Sequence, residues 1–463
     1  MKTLTITLKQ HTPLIHFQHS QQGATLRASE VKPKLDRFIL TALGNGNYEA
    51  GLKEAKNKGW LIGKKCEHPA LNYKIKIEAG DNHDIKIPYI GPKLKNNKIV
   101  HECENYPMLL SNMGGKEDKE GLVNFSFYET IEVTITLINE NKAVEEEIFD
   151  TIKSNIKLFF AHNNFGQRSS KGFGSFTVCK INEEDVSWKH AEVYDRVRFM
   201  RYKNVSTEID YNTIKKIFDV IDFYWKWLKS GINYTKRRCN NGNITRSGAD
   251  RYKKSHLYNY LKSKGKTWEK RKVKTGLNLE CVRPADETTV PNDNPAFFAR
   301  AHLGCPINGF TYKIPQGKLL PDRKEKYKEV EVSIEHNNAN IERIPSPITF
   351  KPVLHELSNG DEVVKVVSIY ILIDKEKINA LYSANDTTFT FTNNTTGSTT
   401  TLPLFINDDN NRYAIDLKEL ITDFHRTFTR SDNKQVMHPF DFNGNSILGN
   451  EIDVILQATP EKK

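Results

Sequence analysis

Between residues 125 and 178 the hydrophobic period of the chain switches from two to 3.6 and back to two. Near 125–138, Ile131, Val133, Ile135 and Leu137 alternate with Glu and Thr, the pattern of a strand with one buried face. From 145 to 161, Ile148, Phe149, Ile152, Ile156, Phe159 and Phe160 recur at spacings of three and four, which predicts an amphipathic helix. A glycine-rich turn follows, then a strand through Phe176 and Val178. Such a unit has apolar faces it cannot cover alone, so it must belong to a layered domain.

The N-terminal segment supplies the missing layer. Leu4, Ile6 and Leu8 alternate over 3–8 as a strand. A helix is expected from about Val31, with Pro33 in its first turn and Leu35, Phe38, Ile39 and Leu43 as its stripe. Strand–helix–strand twice over is the split βαβ pattern of ferredoxin-like and RNA-recognition folds, with three strands plain and the fourth less so. Residues 44–121, rich in Gly, Asn and Lys with one short strand at 73–77, read as an insertion. Four strands on two helices leave one sheet face open, where such folds often carry a ligand. The first domain is placed at 1–190.

The second half repeats the theme. A helix is expected over 211–228, with Ile214, Ile217, Phe218, Ile221, Trp225 and Leu228 on one side. Further on come an apolar strand at 363–373, a hairpin at 387–405 turning at 393–398, a helix at 417–428 and a strand at 452–456. The fold class is α+β: two ferredoxin-like domains, the second at 191–463 with a basic helical insertion at 232–295, and a boundary between 184 and 210.

Charge points to the partner. The net charge is +11, yet residues 236–274 alone hold fourteen Lys or Arg against two acids, Asp250 and Glu269. Clustered cations gain affinity for a polyanion by releasing phosphate counterions, although charge runs are more often only solvated surface. Tyr234, Tyr252, Tyr258, Tyr260 and Trp268 lie among them, as base stacking would need. No stretch reaches the ~18 apolar residues of a membrane span, and the first residues alternate like a strand instead of forming a signal peptide's apolar block. A cytoplasmic protein is expected. The six cysteines are scattered with no C-x-x-C pair, so neither metal nor cofactor is expected.

The sharpest local motif is Gly166-Gln167-Arg168-Ser169-Ser170-Lys171-Gly172-Phe173-Gly174. A turn of this kind can aim successive N–H groups into one concavity that suits an anion, or it can merely connect helix to strand. It is no P-loop, because a strand follows where a helix would have to begin. The form G-x-R-x-x-K-G-x-G after the second helix of a ferredoxin-like domain resembles the signature of the RAMP superfamily of CRISPR-associated proteins. Thr12-Pro13-Leu14 and the stretch from Gly23 through Leu26-Arg27 to Arg37-Phe38 are similar to that family's opening. Leu303-Gly304-Cys305-Pro306 and Arg343-Ile344-Pro345-Ser346-Pro347, followed by Lys351-Pro352, resemble its second-half elements. Two such halves look most like the double-domain subunit of the type III-B Cmr effector complex.

That resemblance implies a non-catalytic RNA-binding subunit. It would sit near the guide RNA 3′ end among other RAMP subunits and help to bind target RNA in antiviral defence, with no membrane involved. By motif, Arg27, Lys32, Lys34 and Arg37 would face phosphates near the first helix. Arg168, Lys171, Gly172 and Gly174 would form the loop contact, with Arg343 and Lys351 as second-half counterparts. The second half lacks an obvious glycine-rich loop. The alternative is a RAMP endoribonuclease processing CRISPR precursor RNA through a histidine near the first strand, where His11, His16 and His19 lie.

Overall fold

The computed structural model describes residues 1–15, 25–62, 69–86, 89–95, 98–103, 124–186, 198–202, 210–240, 243–279, 296–304, 309–315, 327–338, 344–359, 362–384, 386–408, 411–426 and 452–453. The chain divides into two compact units. The first comprises 1–221, 350–372 and 453–463, and the second 222–349 and 373–452.

Strand β1 (Lys2–Gln10), helix α1 (Ala28–Leu43), helix α2 (Tyr48–Asn57), strand β2 (Tyr73–Ala79), strand β3 (Ile131–Leu137), helix α3 (Lys142–His162) and strand β4 (Phe176–Ile181) form the first sheet and its helices. The order is β2-β3-β1-β4, extended by the short strand Glu184–Asp185. β3 runs antiparallel to both β1 and β2, and β4 antiparallel to β1. This is the ferredoxin-like order the periodicity predicts. The fourth strand is β2, which stands in register with β3 from Tyr73↔Leu137 to Ala79↔Ile131. The stretch expected to be an insertion therefore supplies part of the domain itself, and Ala55, Trp60, Leu71 and Tyr73 are buried in its core.

One face of each strand meets the helices. Leu4, Ile6 and Leu8 of β1 and Ile131, Val133 and Ile135 of β3 are fully buried. They pack with Val31, Leu35 and Ile39 of α1 and Ile148, Ile152, Ile156, Phe159 and Phe160 of α3. Phe159, Phe160, Phe165 and Phe176 form an edge-to-face aromatic chain under the glycine-rich turn. α1 begins at Ala28, three residues before the expected start, so Pro33 lies inside it.

α3 is capped by Asn141, whose side chain accepts from the Ala143 and Val144 N–H groups. Glu145 reaches back to accept from the Asn139 N–H at 3.0 Å and pairs with Lys142 at 3.1 Å. That N–H first, and then the Lys142 ammonium, lower its carboxyl from the ordinary 4.5 to about 2. A depressed carboxyl stabilises above its unfolded value, and the contribution is lost as pH falls from 4.5 towards 2. Glu145→Gln should therefore unfold more easily than the parent at pH 7, with the gap closing across that window in an acid titration of the melting temperature.

A second sheet has the same order: Ile348–Asn359, Glu362–Ile373, Arg198–Tyr202, Ile452–Asp453. Arg198↔Ile371 to Tyr202↔Val367 fixes its central antiparallel pair. Helix α4 (Tyr211–Lys229) follows Arg198–Tyr202. The expected boundary between 184 and 210 differs from the observed division because this pairing returns 350–372 to the first unit.

The second unit holds an antiparallel sheet of Phe310–Pro315, Tyr327–His336, Thr388–Asn393 and Thr399–Pro403, packed by Val273, Leu277, Phe298 and Leu404. The hairpin turn closes where expected, with the Asn393 N–H donating to the Ser398 carbonyl. The basic insertion is not wholly helical. It opens with a hairpin, Ile232–Asn240 against Asn243–Lys253, before helices His256–Ser263 and Glu269–Gly276. Among the described residues no helix is long and apolar enough to cross a membrane.

Candidate nucleic-acid interface

The open face of the first sheet is no stacking platform. Its strands present Thr3, Thr5, Thr7, Lys74, Lys76, Glu132, Thr134 and Thr136, all exposed or half-exposed. RNA-recognition sheets bind bases on aromatic rings, and no aromatic stands at these positions. The open sheet expected to carry the ligand offers only hydroxyls and a few charges.

The glycine-rich turn is built inward. Arg168 adopts φ 55°, and Gly166, Gly172 and Gly174 adopt 74°, 97° and 63°. A β-carbon on Gly174 would stand 2.0 Å from the Phe165 carbonyl oxygen, and one on Gly166 2.5 Å from that of Ile15. These glycines are required by close backbone approach. The turn's N–H groups are largely consumed within the chain. Gly174 donates to Pro13 O, Gln167 to Ile15 O, Phe165 to Gly174 O and Gly172 to Ser169 O. Thr12 Oγ1 donates to Gly172 O and accepts from Ser175 N. Gly166 N–H donates at 2.7 Å to Glu30 Oε1, so the anion it meets is the protein's own carboxylate. The expected anion concavity is corrected accordingly. Thr12-Pro13-Leu14 clasps the turn.

The Lys351-Pro352 element closes the other side. Lys351 is fully buried, and its ammonium donates to Asn163 O at 2.9 Å and Phe176 O at 2.8 Å. Burial pushes its pKa well down. Asn164 donates to Phe350 O and Ser175 to Pro352 O. Phe173 stacks on Phe218 at 3.9 Å between ring centroids. Lys351, Gly172 and Gly174 therefore have no surface to offer RNA, which corrects their expected role: they hold the fold.

The remaining cations divide. Lys32 donates to Asp36 and to Leu71 O, with its ammonium 4.1 Å from the Tyr73 ring centroid. Lys34 donates to Glu30 and Asn164 O. Both ammonium groups are thus engaged within the domain. Arg27 and Arg37 are exposed, the latter with its guanidinium 4.7 Å from the Tyr48 ring centroid. Arg168 and Lys171 are half-exposed on the outer rim of the turn. Partial burial lowers the Arg168 guanidinium from its usual range. Arg343 lies outside the described residues.

Histidine chemistry gains no support from His11. It is buried, its Nδ1 accepts from Leu354 N–H at 3.0 Å, and its Nε2 therefore donates to Thr177 Oγ1 at 2.7 Å. His302 donates to Leu404 O and is pushed by burial down to about 4. His16 and His19 lie outside the described residues. Among the described residues no three His, Cys, Asp or Glu side chains are grouped to hold a metal.

The sequence reading missed Glu30, Asn164 and Ser175 as parts of this seam. Their only sequence signal was proximity to the motifs they join.

Comparison with known proteins agrees with this division of motifs. The model of the Cmr1 N-terminal domain matches residues 1–232, and that of the Cmr1 C-terminal domain matches 252–445. No curated protein matches the chain. Among solved structures, one of the Type III-B Cmr-beta bound to cognate target RNA and AMPPnP, in the presence of ssDNA, aligns at 10% identity, 79% of this chain, 94% of that chain and a TM-score of 0.34. Another, of the Type III-B Cmr-beta bound to cognate target RNA, aligns at 14% identity, 82% and 97% coverage and a TM-score of 0.31. With its N-terminal half covered by one family model and most of the remainder by its companion, the chain belongs to the Cmr1 family.

Proposed function

We propose that this chain is an RNA-binding subunit of a type III-B CRISPR (Cmr) RNA-guided effector complex. It works beside other RAMP subunits near the guide RNA 3′ end and helps to bind target RNA without cutting it. The observation that carries the reading is family membership across both halves of the chain, joined to a cationic rim at the one turn that the whole first unit braces. Arg168 and Lys171 stand on that rim, and Arg27 and Arg37 are the exposed cations of the α1 region. Their role is electrostatic: phosphate contact positions the strand and carries no sequence information. A left-handed Arg168 costs of order 1 kcal/mol, a strain that fits a side chain aimed for use.

The test is the double reversal Arg168→Glu and Lys171→Glu in the assembled complex. RNA affinity should fall about ten-fold or more at low salt, with the folded spectrum kept, because two phosphate contacts become repulsions. Unchanged affinity with a folded subunit would remove the rim from the interface. The nuclease reading predicts site-specific cuts by the purified chain that His16→Ala or His19→Ala abolishes. His11, buried with both ring nitrogens engaged, speaks against its own part in such chemistry.

A further inference from the structure

The second unit carries a cationic helix that the motifs above do not touch. Helix Glu269–Gly276 buries Glu269, Val273 and Leu277, one residue per turn, which turns Lys270, Arg271, Lys272 and Lys274 outward as half-exposed side chains. Its single acid is withdrawn: Glu269 is fully buried and accepts from the Arg300 Nε at 2.5 Å. Four like charges thus share one outward surface on two turns of helix, a mutually repulsive arrangement that a polyanion relieves. Aromatic rings stand at its start. Trp268 occupies the N-cap position and is half-buried, and the half-buried Tyr258 meets it edge-to-face at 6.0 Å. Lys254 lies 4.3 Å from the Tyr258 ring centroid. By contrast Tyr260, the other aromatic of the neighbouring helix, is buried and donates its hydroxyl to Glu419.

We propose that this helix, with Trp268 and Tyr258, is a second contact for single-stranded RNA. Backbone phosphates lie along Lys270, Arg271, Lys272 and Lys274, and one unpaired base stacks on the Trp268–Tyr258 pair. The proposal rests on the RNA-binding reading above and adds a site to it. An acidic protein surface would satisfy the four cations. It would have no use for half-exposed rings among them, and it is the rings that favour nucleic acid.

The experiment measures binding of fluorescent single-stranded RNA to the assembled complex across a salt series. The variants are Lys270→Glu/Arg271→Glu/Lys272→Glu, Trp268→Ala and Trp268→Phe. The triple variant should bind at least ten-fold more weakly at low salt, with a slope of log affinity against log salt shallower by about two, as expected at ~0.7 per lost single-strand phosphate contact. Trp268→Ala should cost roughly ten-fold with little change in slope, and Trp268→Phe should restore most of it, since a stacked base needs a ring. A triple variant that binds like the parent with the same slope overturns the proposal, as does one that keeps RNA affinity but loses a protein neighbour in native mass spectrometry. Should the parent complex itself retain no RNA, the underlying reading falls and this site with it. Loss of binding in Arg168→Glu/Lys171→Glu alone leaves the first reading standing and rejects the second site.

Discussion

Gly174→Ala should unfold the first unit at ordinary temperature or cost it several kcal/mol. The added methyl would stand 2.0 Å from the Phe165 carbonyl oxygen and 2.8 Å from Leu14 Cδ1, at a residue whose φ is +63°. Backbone oxygen cannot swing aside as a side chain does. The clash therefore forces apart the Phe165–Gly174 pairing and, with it, the Pro13 clasp. Gly46→Ala separates the two causes. Gly46 has φ +94° with nothing within 4 Å, so its substitution pays only the left-handed backbone cost of about 1–2 kcal/mol. Urea unfolding of both variants decides the matter. If Gly174→Ala matched Gly46→Ala in midpoint, the turn would not be the tight seam described here.

Lys351→Met should destabilise by about 2–4 kcal/mol, because it strands two buried carbonyl acceptors at ~1–3 kcal/mol each while keeping the side chain's length. Those acceptors are Asn163 O and Phe176 O, at the end of α3 and the start of β4. The pH dependence carries a sign. Burial lowers the ammonium's pKa in the fold, so between that lowered value and the ordinary 10.5 the unfolded chain binds more protons. The parent's stability relative to Lys351→Met should therefore grow as pH rises through that window and level off above it. A phosphate contact predicts something else: near-normal stability with a shallower salt slope for RNA. Lys351→Met should leave the salt slope of the folded complex unchanged.

Much of the first domain was legible because its strands and helices keep strict periods. β1, β3, α1 and α3 each bury one residue face, and Leu4, Ile135, Leu35 and Ile152 announce it. β2 also alternates, through Ile75 and Ile77. Its lysines and its polar neighbourhood hid the fact that it pairs with β3. The basic hairpin at 232–253 was misread for a related reason. Asn241-Gly242 sits between its strands in the sequence, the residue pair that two-residue hairpins favour, but dense charge argued for solvated helix. At the candidate interface, residue type located the seam and misjudged its direction. Gly172, Gly174 and Lys351 look alike in sequence whether they hold a phosphate or a carbonyl. Only the long-range partners, Pro13 across 161 residues of chain from Gly174 and Asn163 across 188 from Lys351, tell the two apart. Lysine is so seldom buried whole that its charge alone argued for the surface.

The most direct test of the account is photocrosslinking of the assembled complex to a guide RNA carrying a photoreactive base near its 3′ end. The account predicts an adduct on this chain that holds the RNA at full length, weakened by Arg168→Glu/Lys171→Glu. A complex that retains its guide yet yields no adduct on this chain, or an adduct found only on RNA that the chain itself has cut, would contradict it.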